Sequence, residues 1–214
     1  MGLVEYEGII LRGQDYDEAH RILRVYTWNK GKISVLAKGV KKTKSRLTAL
    51  CQLFSYGRFL FYKGRNFYTL SQGEILRSHH KLREDLELFA YASYFCELVD
   101  LAVEEEDANN LLFSLLLQGF VLLNYGKNIF LAARYFEFRL LVFLGYRPNW
   151  EKSELSLEAK AFCKRFLLNE GWRIQNLKPS PAAKEELAAY LRELLSPVLV
   201  RSPKSLAFLE QFKH

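Results

Sequence analysis

The stretch Gly31–Lys32–Ile33–Ser34–Val35–Leu36–Ala37–Lys38–Gly39–Val40–Lys41–Lys42–Thr43–Lys44–Ser45–Arg46 decides how the first third of this chain is read. Ile33, Val35 and Ala37 share one face by the period of two, and Lys32, Ser34 and Lys38 share the other, which is the pattern of a strand half buried in a core. The strand runs into a glycine turn and then into Lys41, Lys42, Lys44 and Arg46 with no acid among them. A basic loop fixed to a rigid sheet suits a polyanion, and nucleic acid is the expected one.

The residues around this stretch repeat its pattern. Val4–Arg12, His20–Thr27, Lys32–Lys38, Gly57–Tyr62 and Phe67–Leu76 are short and rich in β-branched and aromatic residues. Asn29–Lys30–Gly31 and Lys63–Gly64–Arg65–Asn66 read as hairpin connections, because Gly and Asn tolerate positive φ. Five antiparallel strands in this length predict a small barrel, with the OB-fold ahead of an SH3-like barrel. Beyond about Leu82 the period becomes helical. A first helix runs to about Glu106, and Asp107 offers the cap for a second that ends near Tyr125–Gly126. Ile129–Leu144, Leu157–Leu168, a helix from Ser180–Pro181 to Pro197, and a short one after Ser202–Pro203 follow. The predicted fold class is therefore α+β: an N-terminal five-stranded OB-fold barrel over residues 1–79 and an all-α helical domain over 80–214. There is no internal repeat.

Charge divides the chain in the same place. Residues 1–80 hold 14 Lys and Arg against 6 Asp and Glu, a net of +8, whereas residues 81–214 hold 17 against 18, a net of −1. The basic excess lies wholly in the barrel half, which predicts an anion-binding module joined to a neutral one. With 50% hydrophobic residues the chain has the means to build cores and is not a disordered one. The odd, scattered cysteines Cys51, Cys96 and Cys163 argue against a disulfide framework and for a reducing compartment. The first residues lack the basic and apolar regions of a signal peptide, so a soluble cytoplasmic protein is expected.

Candidate sites follow from residue chemistry. Lys38, Lys41, Lys42, Lys44 and Arg46 are the expected phosphate contacts, and some of Tyr26, Trp28, Phe59, Phe61, Tyr62, Phe67 and Tyr68 would stack on bases while the rest fill the barrel. Asp15, Asp17 and Glu18 before His20 match no metal-ligand spacing and read as a polar hairpin loop. His79–His80 reads as a surface linker, and Glu104–Glu105–Glu106–Asp107 as a solvated helix end. No G-x-x-x-x-G-K-[ST] sequence is present, and no cysteine stands near a histidine as a nucleophile would. The chain is read as a binding protein, not an enzyme, without a cofactor. An adaptor gripping acidic protein partners and an RNA-binding barrel are the alternatives.

Four segments resemble the RecO family of bacterial recombination mediators. They are Ile10–Leu11 with His20–Thr27, the quoted Gly31–Arg46, Leu70–Leu76 with Glu74 inside it, and Phe136–Leu141 with Leu144–Gly145–Tyr146–Arg147–Pro148. The resemblance implies binding of single- and double-stranded DNA, strand annealing, cooperation with RecR, and help in loading RecA onto DNA coated by single-strand-binding protein (SSB). It also implies capture of the acidic SSB tail by the helical domain and a cytoplasmic, nucleoid-associated place of work. Arg139 is a candidate cation for that tail, and a surface arginine paired with Glu137 or another acid is the alternative. Many members carry a four-cysteine zinc module after the tyrosine–x–proline segment. Here Asn149–Trp150–Glu151–Lys152–Ser153–Glu154 follows, without cysteine until Cys163, so no zinc is expected. Packing of Trp150, Phe162, Phe166 and Trp172 is expected to hold that region instead.

Overall fold

The computed structural model describes residues 2–43, 45–65, 67–209 and 211. Five strands come first: β1 Leu3–Asp15, β2 Arg21–Thr27, β3 Gly31–Ala37, β4 Tyr56–Lys63 and β5 Tyr68–Arg77. They close a barrel in the order β1-β2-β3-β5-β4, the five-stranded arrangement of an OB-fold. Length explains the closure. The 13 residues of β1 pair with β4 through Leu3–Ile9 and with β2 through Gly8–Asp15. A register shift between Ile10 and Arg12 bends the strand where it changes partner. The last seam is a short parallel pairing of Val35 with Tyr68 and Leu36 with Thr69.

The alternation of β3 holds as read: Ile33, Val35 and Ala37 are buried with Leu23, Val25, Phe59 and Phe61 in the barrel core. Between β3 and β4 the chain makes turns, and Val40, Leu50 and Cys51 from this segment fill the same core. Phe54, at φ 67, faces the other way and meets the rings of Phe89 and Phe120, 5.5 and 5.6 Å away. One residue thus ties the barrel to the helices.

Seven α-helices follow among the described residues: α1 Lys81–Glu84, α2 Leu86–Ala102, α3 Asn110–Tyr125, α4 Ile129–Phe143, α5 Leu157–Leu168, α6 Pro181–Leu195 and α7 Ser205–Leu209. Three boundaries differ from the sequence reading, and the first is that α2 ends at Ala102 and not near Glu106. Asp85 takes a β conformation and caps α2 through the Leu88 amide, so the first helical stretch breaks in two. The cap of α3 is Asn109 and not Asp107, and its side chain accepts from the Leu111 and Leu112 amides. Asp107 is held elsewhere, against Gly31 of the barrel.

Phe95 of α2 and Phe136 of α4 stack at 4.0 Å in the middle of the helical core. Trp150 meets Phe138 at 5.5 Å, Phe138 meets Phe166, and Phe162 meets Phe166, so three of the four expected packing residues hold the region after Pro148. Trp172 does not join them. It is 59% exposed, and its indole is directed to Glu170. Among the described residues no helix is long and apolar enough to cross a membrane.

Candidate nucleic-acid interface

The basic loop leaves β3 at Ala37 and turns at Gly39, whose φ of +68 suits glycine. The Lys42 amide donates to the Gly39 carbonyl, and the Lys41 amide to the Ala19 carbonyl of the β1–β2 connection. Thr48 Oγ1 donates to the Val40 carbonyl at 2.8 Å. Val40 at one end and Leu50 at the other are anchored in the barrel core. The backbone is therefore pinned while the side chains of Lys38, Lys42 and Arg46 face water.

The five predicted phosphate contacts do not share one fate. Lys38, Lys42 and Arg46 are exposed and have no ion pair among the described residues. Lys41 turns back, and its ammonium donates to Asp15 Oδ2 at 2.9 Å and to the Asp17 carbonyl at 3.3 Å. Asp15 also accepts from Arg21 Nε at 2.7 Å. Hydrogen bonds from Lys41 and then Arg21 lower its pKa below the ordinary aspartate value. Lys44 lies outside the described residues. The loop of Asp15, Asp17 and His20 is the polar hairpin expected, with Asp17 Oδ1 accepting from the Ala19 and His20 amides and paired with the His20 ring.

A second basic group lies on the outward face of β1, β2 and β3, and its Arg24 and Lys32 are covered. Asp100 of α2 receives Arg12 Nε at 3.0 Å, Lys32 Nζ at 3.3 Å and Arg24 Nε at 3.5 Å. Burial opposes the Asp100 carboxylate, but the charges of Lys32, Arg12 and Arg24 outweigh it, and the pKa is lowered. Lys32 Nζ also donates to the carbonyls of Asp100 and, at 2.7 Å, Val103, where the carbonyls at the end of α2 need partners. The segment Val103–Asp107 then lies along β3. Glu105 bridges Lys32, the Glu106 amide donates to the Lys32 carbonyl at 2.9 Å, and Arg24 pairs with Glu105. Glu106 takes Lys30 Nζ at 2.7 Å and the Tyr68 hydroxyl at 3.0 Å. The acidic run read as a solvated helix end is a strap across the barrel, because Arg24 and Lys30 pair with its carboxylates and the Lys32 backbone pairs with its backbone.

This cover bears on where a strand of nucleic acid can lie. OB-folds bind oligonucleotides across strands 2 and 3 and the loops β1–β2 and β4–β5. Here the outward face of β2 holds Tyr26, fully buried, with its hydroxyl donating to the Asn109 carbonyl at 3.2 Å. Of the seven aromatics proposed as stackers, Tyr26, Phe59, Phe61 and Tyr68 are buried. Trp28, Tyr62 and Phe67 are exposed by 38 to 48%. Phe67 closes the β4–β5 turn, where the Gly64 amide donates to its carbonyl. Arg65 at the same turn is exposed and without an ion pair among the described residues. Sequence reading took this segment as turn chemistry alone, although the arginine beside an exposed ring carried a signal.

The opposite side of the barrel is acidic. Arg58 of β4 is met by Glu7 at 3.2 Å, Glu5 at 3.8 Å and Glu74 at 4.0 Å. Glu7 also accepts from the Tyr56 hydroxyl at 2.6 Å, which with the Arg58 contacts lowers its pKa against the opposing effect of burial. A cleft of about 590 Å³ opens here, between Glu5, Glu7, Trp28 and Phe113. Like charge turns a phosphate backbone away from this side.

In the helical part, Arg139 of α4 makes no pair with Glu137. Its guanidinium lies 4.5 Å from the Phe143 ring centroid and donates to the Leu167 carbonyl at 3.0 Å. Glu137 is instead buried with Arg134 at 2.5 Å and the Tyr94 hydroxyl at 2.8 Å. Burial raises its pKa, and the Arg134 charge only partly offsets this. All three cysteines are buried and free. Among the described residues no group of three or more His, Cys, Asp or Glu is placed to hold a metal ion.

The family model for the N-terminal part of Recombination protein O matches residues 1–79, and that for its C-terminal part matches residues 83–156. Three similar proteins are each named DNA repair protein RecO. One from Listeria monocytogenes serotype 4b is 41% identical over 146 residues, which are 68% of this chain and 57% of that protein. One from Bacillus pumilus is 42% identical over 150 residues, 70% of this chain and 59% of that protein. One from Clostridium perfringens is 32% identical in an alignment that covers the whole of both chains. The matched part thus spans somewhat over half of the Listeria and Bacillus relatives.

Proposed function

The chain belongs to the RecO family, and from that premise we propose that it is a non-catalytic DNA-binding mediator of recombinational repair. In this reading it binds single- and double-stranded DNA, anneals complementary strands and helps load RecA onto SSB-coated DNA, with RecR as its partner. The observation that carries the reading is the loop after β3, where Lys38, Lys42 and Arg46 stand exposed on a backbone anchored in the barrel core. Residues 1–79 are the nucleic-acid-binding domain and 80–214 the domain for protein partners. Lys38, Lys42, Lys44 and Arg46 neutralise phosphates, and Tyr62 and Phe67 offer faces for sequence-tolerant stacking, whereas Trp28 lies in the acidic cleft beside Glu5 and Glu7. Arg139, backed by Phe143, is the proposed cation for a carboxylate of the SSB tail. The work is done in the cytoplasm, at the nucleoid.

Strand annealing on SSB-coated DNA tests this directly. The protein is expected to anneal complementary oligonucleotides, and the variant with Lys38, Lys42, Lys44 and Arg46 replaced by alanine is expected to fail. Equal activity of the two would overturn the assignment of the loop.

One observation favours a second reading, that of an adaptor for acidic protein partners. The barrel already holds an acidic polypeptide segment of its own on Lys30, Lys32 and Arg24. A pull-down with an acidic tail peptide, run beside gel mobility of labelled DNA and RNA of equal length, separates the readings. Retention of the peptide by the loop without any shift of the oligonucleotides would favour the adaptor.

A further inference from the structure

Where the barrel passes into the helices, Arg77, His79, His80 and Lys81 line a cleft of about 460 Å³ with Asn124 and Tyr125 of α3. Among the described residues no carboxylate lines it. Arg77, His80 and Lys81 are exposed, and neither Arg77 nor Lys81 has an ion pair among the described residues. The Tyr125 ring is 74% exposed, with Lys81 Nζ 5.5 Å from its centroid. The volume falls within the range of ligand pockets, and the junction of two modules is a common place for them.

The connector is held firmly in this shape. Arg83 NH1 donates to the Leu53 carbonyl at 2.8 Å and to the Ser78 carbonyl at 2.6 Å. His79 takes a φ of +48, an uncommon conformation for histidine that is retained where the surroundings over-determine it. Its ring stands edge-on to Phe120 at 5.2 Å, and its Nδ1 lies 3.2 Å from Asn124 Nδ2. The remaining nitrogen, Nε2, is buried without a partner. Burial, followed by the charges of Arg77 and Arg83, pushes the His79 pKa down to about 4. Burial is the larger cause, and the charges of Arg77 and Arg83 add to it, with Arg77 lining the cleft itself. An anion is the ligand such a field favours.

The seam between β3 and β5 pairs Val35 and Leu36 with Tyr68 and Thr69, and β5 continues from there to Arg77 at the cleft. β3 and β5 run parallel at their seam, so the chain leaves β3 into the loop and β5 into the cleft in the same direction. We propose that the cleft is a second phosphate site of the nucleic-acid interface, in which Arg77 and Lys81 grip phosphodiesters of a single strand and Tyr125 stacks on one of its bases. The proposal rests on the DNA-binding reading above and extends it to a surface that neither the loop nor the barrel aromatics supply.

The test uses the full chain and a thymine oligonucleotide carrying 5-iodouracil, with affinity measured across a salt series. Four loop cations predict a slope of log affinity on log salt near roughly −3, and two more phosphate contacts steepen it to about −4. The variant R77A/K81A is expected to return the slope to about −3, while R77K/K81R keeps the steeper value. Photo-crosslinking is expected to mark the peptide containing Tyr125. An unchanged slope in R77A/K81A, or crosslinks that never reach Tyr125, would overturn the proposal while leaving the loop assignment standing. Capture of thymidine monophosphate at Tyr125 without the oligonucleotide would make the cleft a mononucleotide pocket and overturn it too. Absence of any oligonucleotide binding by the unaltered chain would remove the DNA-binding reading itself, a distinct result.

Discussion

Two groups of cations sit on one barrel and have opposite uses. Arg12, Arg24 and Lys32 converge on Asp100, with side chains of Lys32 and Asp100 only 8 and 9% exposed. Lys38, Lys42 and Arg46 begin one residue after the end of β3 and meet no acid among the described residues. Residue type does not separate the groups, since each contains lysine and arginine. What separates them is whether the helical part lies opposite. The outward face of β2 and β3 is closed by α2 and the strap after it, so its cations serve to join the two halves. The loop escapes that cover, and its charge stays available. The +8 of the first 80 residues therefore overstates the field offered to a ligand, because Asp100, Glu105 and Glu106 neutralise part of it from the other half.

The largest expected effect breaks the joined group. Asp100→Ala leaves the buried Lys32 ammonium without its carboxylate, and removing one partner of a buried ion pair costs about 3–5 kcal/mol. Denaturant unfolding is expected to show a loss of this size, and thermal melting a fall of roughly 10 °C. A loss below about 1 kcal/mol would mean that the cluster does not join the halves. Acid acts in the same direction on the aspartate. Its pKa is lowered in the fold, so its contribution is present above the unfolded value near about 3.9 and is lost as the pH falls through the folded one. Asp100→Asn is expected to remove that part of the acid sensitivity.

The glycines that bracket β3 sharpen the contrast. Both have positive φ, +71 at Gly31 and +68 at Gly39. A Cβ on Gly31 would lie 2.2 Å from the Asp107 carbonyl oxygen, whereas the nearest atom to one on Gly39 is Lys42 Cδ at 3.7 Å. Gly31→Ala therefore carries backbone strain and a clash with the strap, for about 3 kcal/mol, and Gly39→Ala carries the strain alone, for about 1 kcal/mol. Equal losses in chemical denaturation would show that the strap gives way freely.

These same positions explain what could be read from the sequence. The barrel was legible because a strand writes its buried face at every second residue, as Ile33, Val35 and Ala37 do. That alternation says which residues face away from the barrel core, but not what waits there. Lys32 and Tyr26 both point outward and are buried all the same, against residues 68 or more positions away. Asp107 and Asn109 are equally able to cap a helix, and the choice between them is made by the contact of Asp107 with Gly31, which no local pattern encodes. Lys41 reads like Lys42, yet the β1–β2 hairpin brings Asp15 to one and not to the other. His79 sits in a stretch that reads as linker, and it is the fold around Phe120 that buries it.

A smaller effect belongs to that histidine. Its folded pKa lies near 4, below the ordinary 6.5. The unfolded chain therefore takes up a proton that the folded chain refuses, and stability declines as the pH falls from about 6.5 toward 4. His79→Asn keeps a residue that tolerates positive φ and removes the titration. Its stability is expected to change less over this range in pH-dependent unfolding. An equal decline in both proteins would place the acid sensitivity elsewhere.

The smallest effect on stability is expected from the exposed group, and that is what makes it diagnostic. Alanine at Lys38, Lys42 or Arg46 removes no buried contact, so each is expected to change stability by less than about 0.5 kcal/mol. Each lost phosphate contact is nevertheless expected to flatten the salt dependence of single-strand binding by about 0.7. Lys41→Ala provides the internal control. Its ammonium is held by Asp15, and its removal frees a carboxylate beside the loop, so affinity falls through repulsion while the slope changes less than for Lys42→Ala. If Lys41 and Lys42 flatten the slope equally, the ion pair opens on binding, and the division between joined and free cations holds only without DNA.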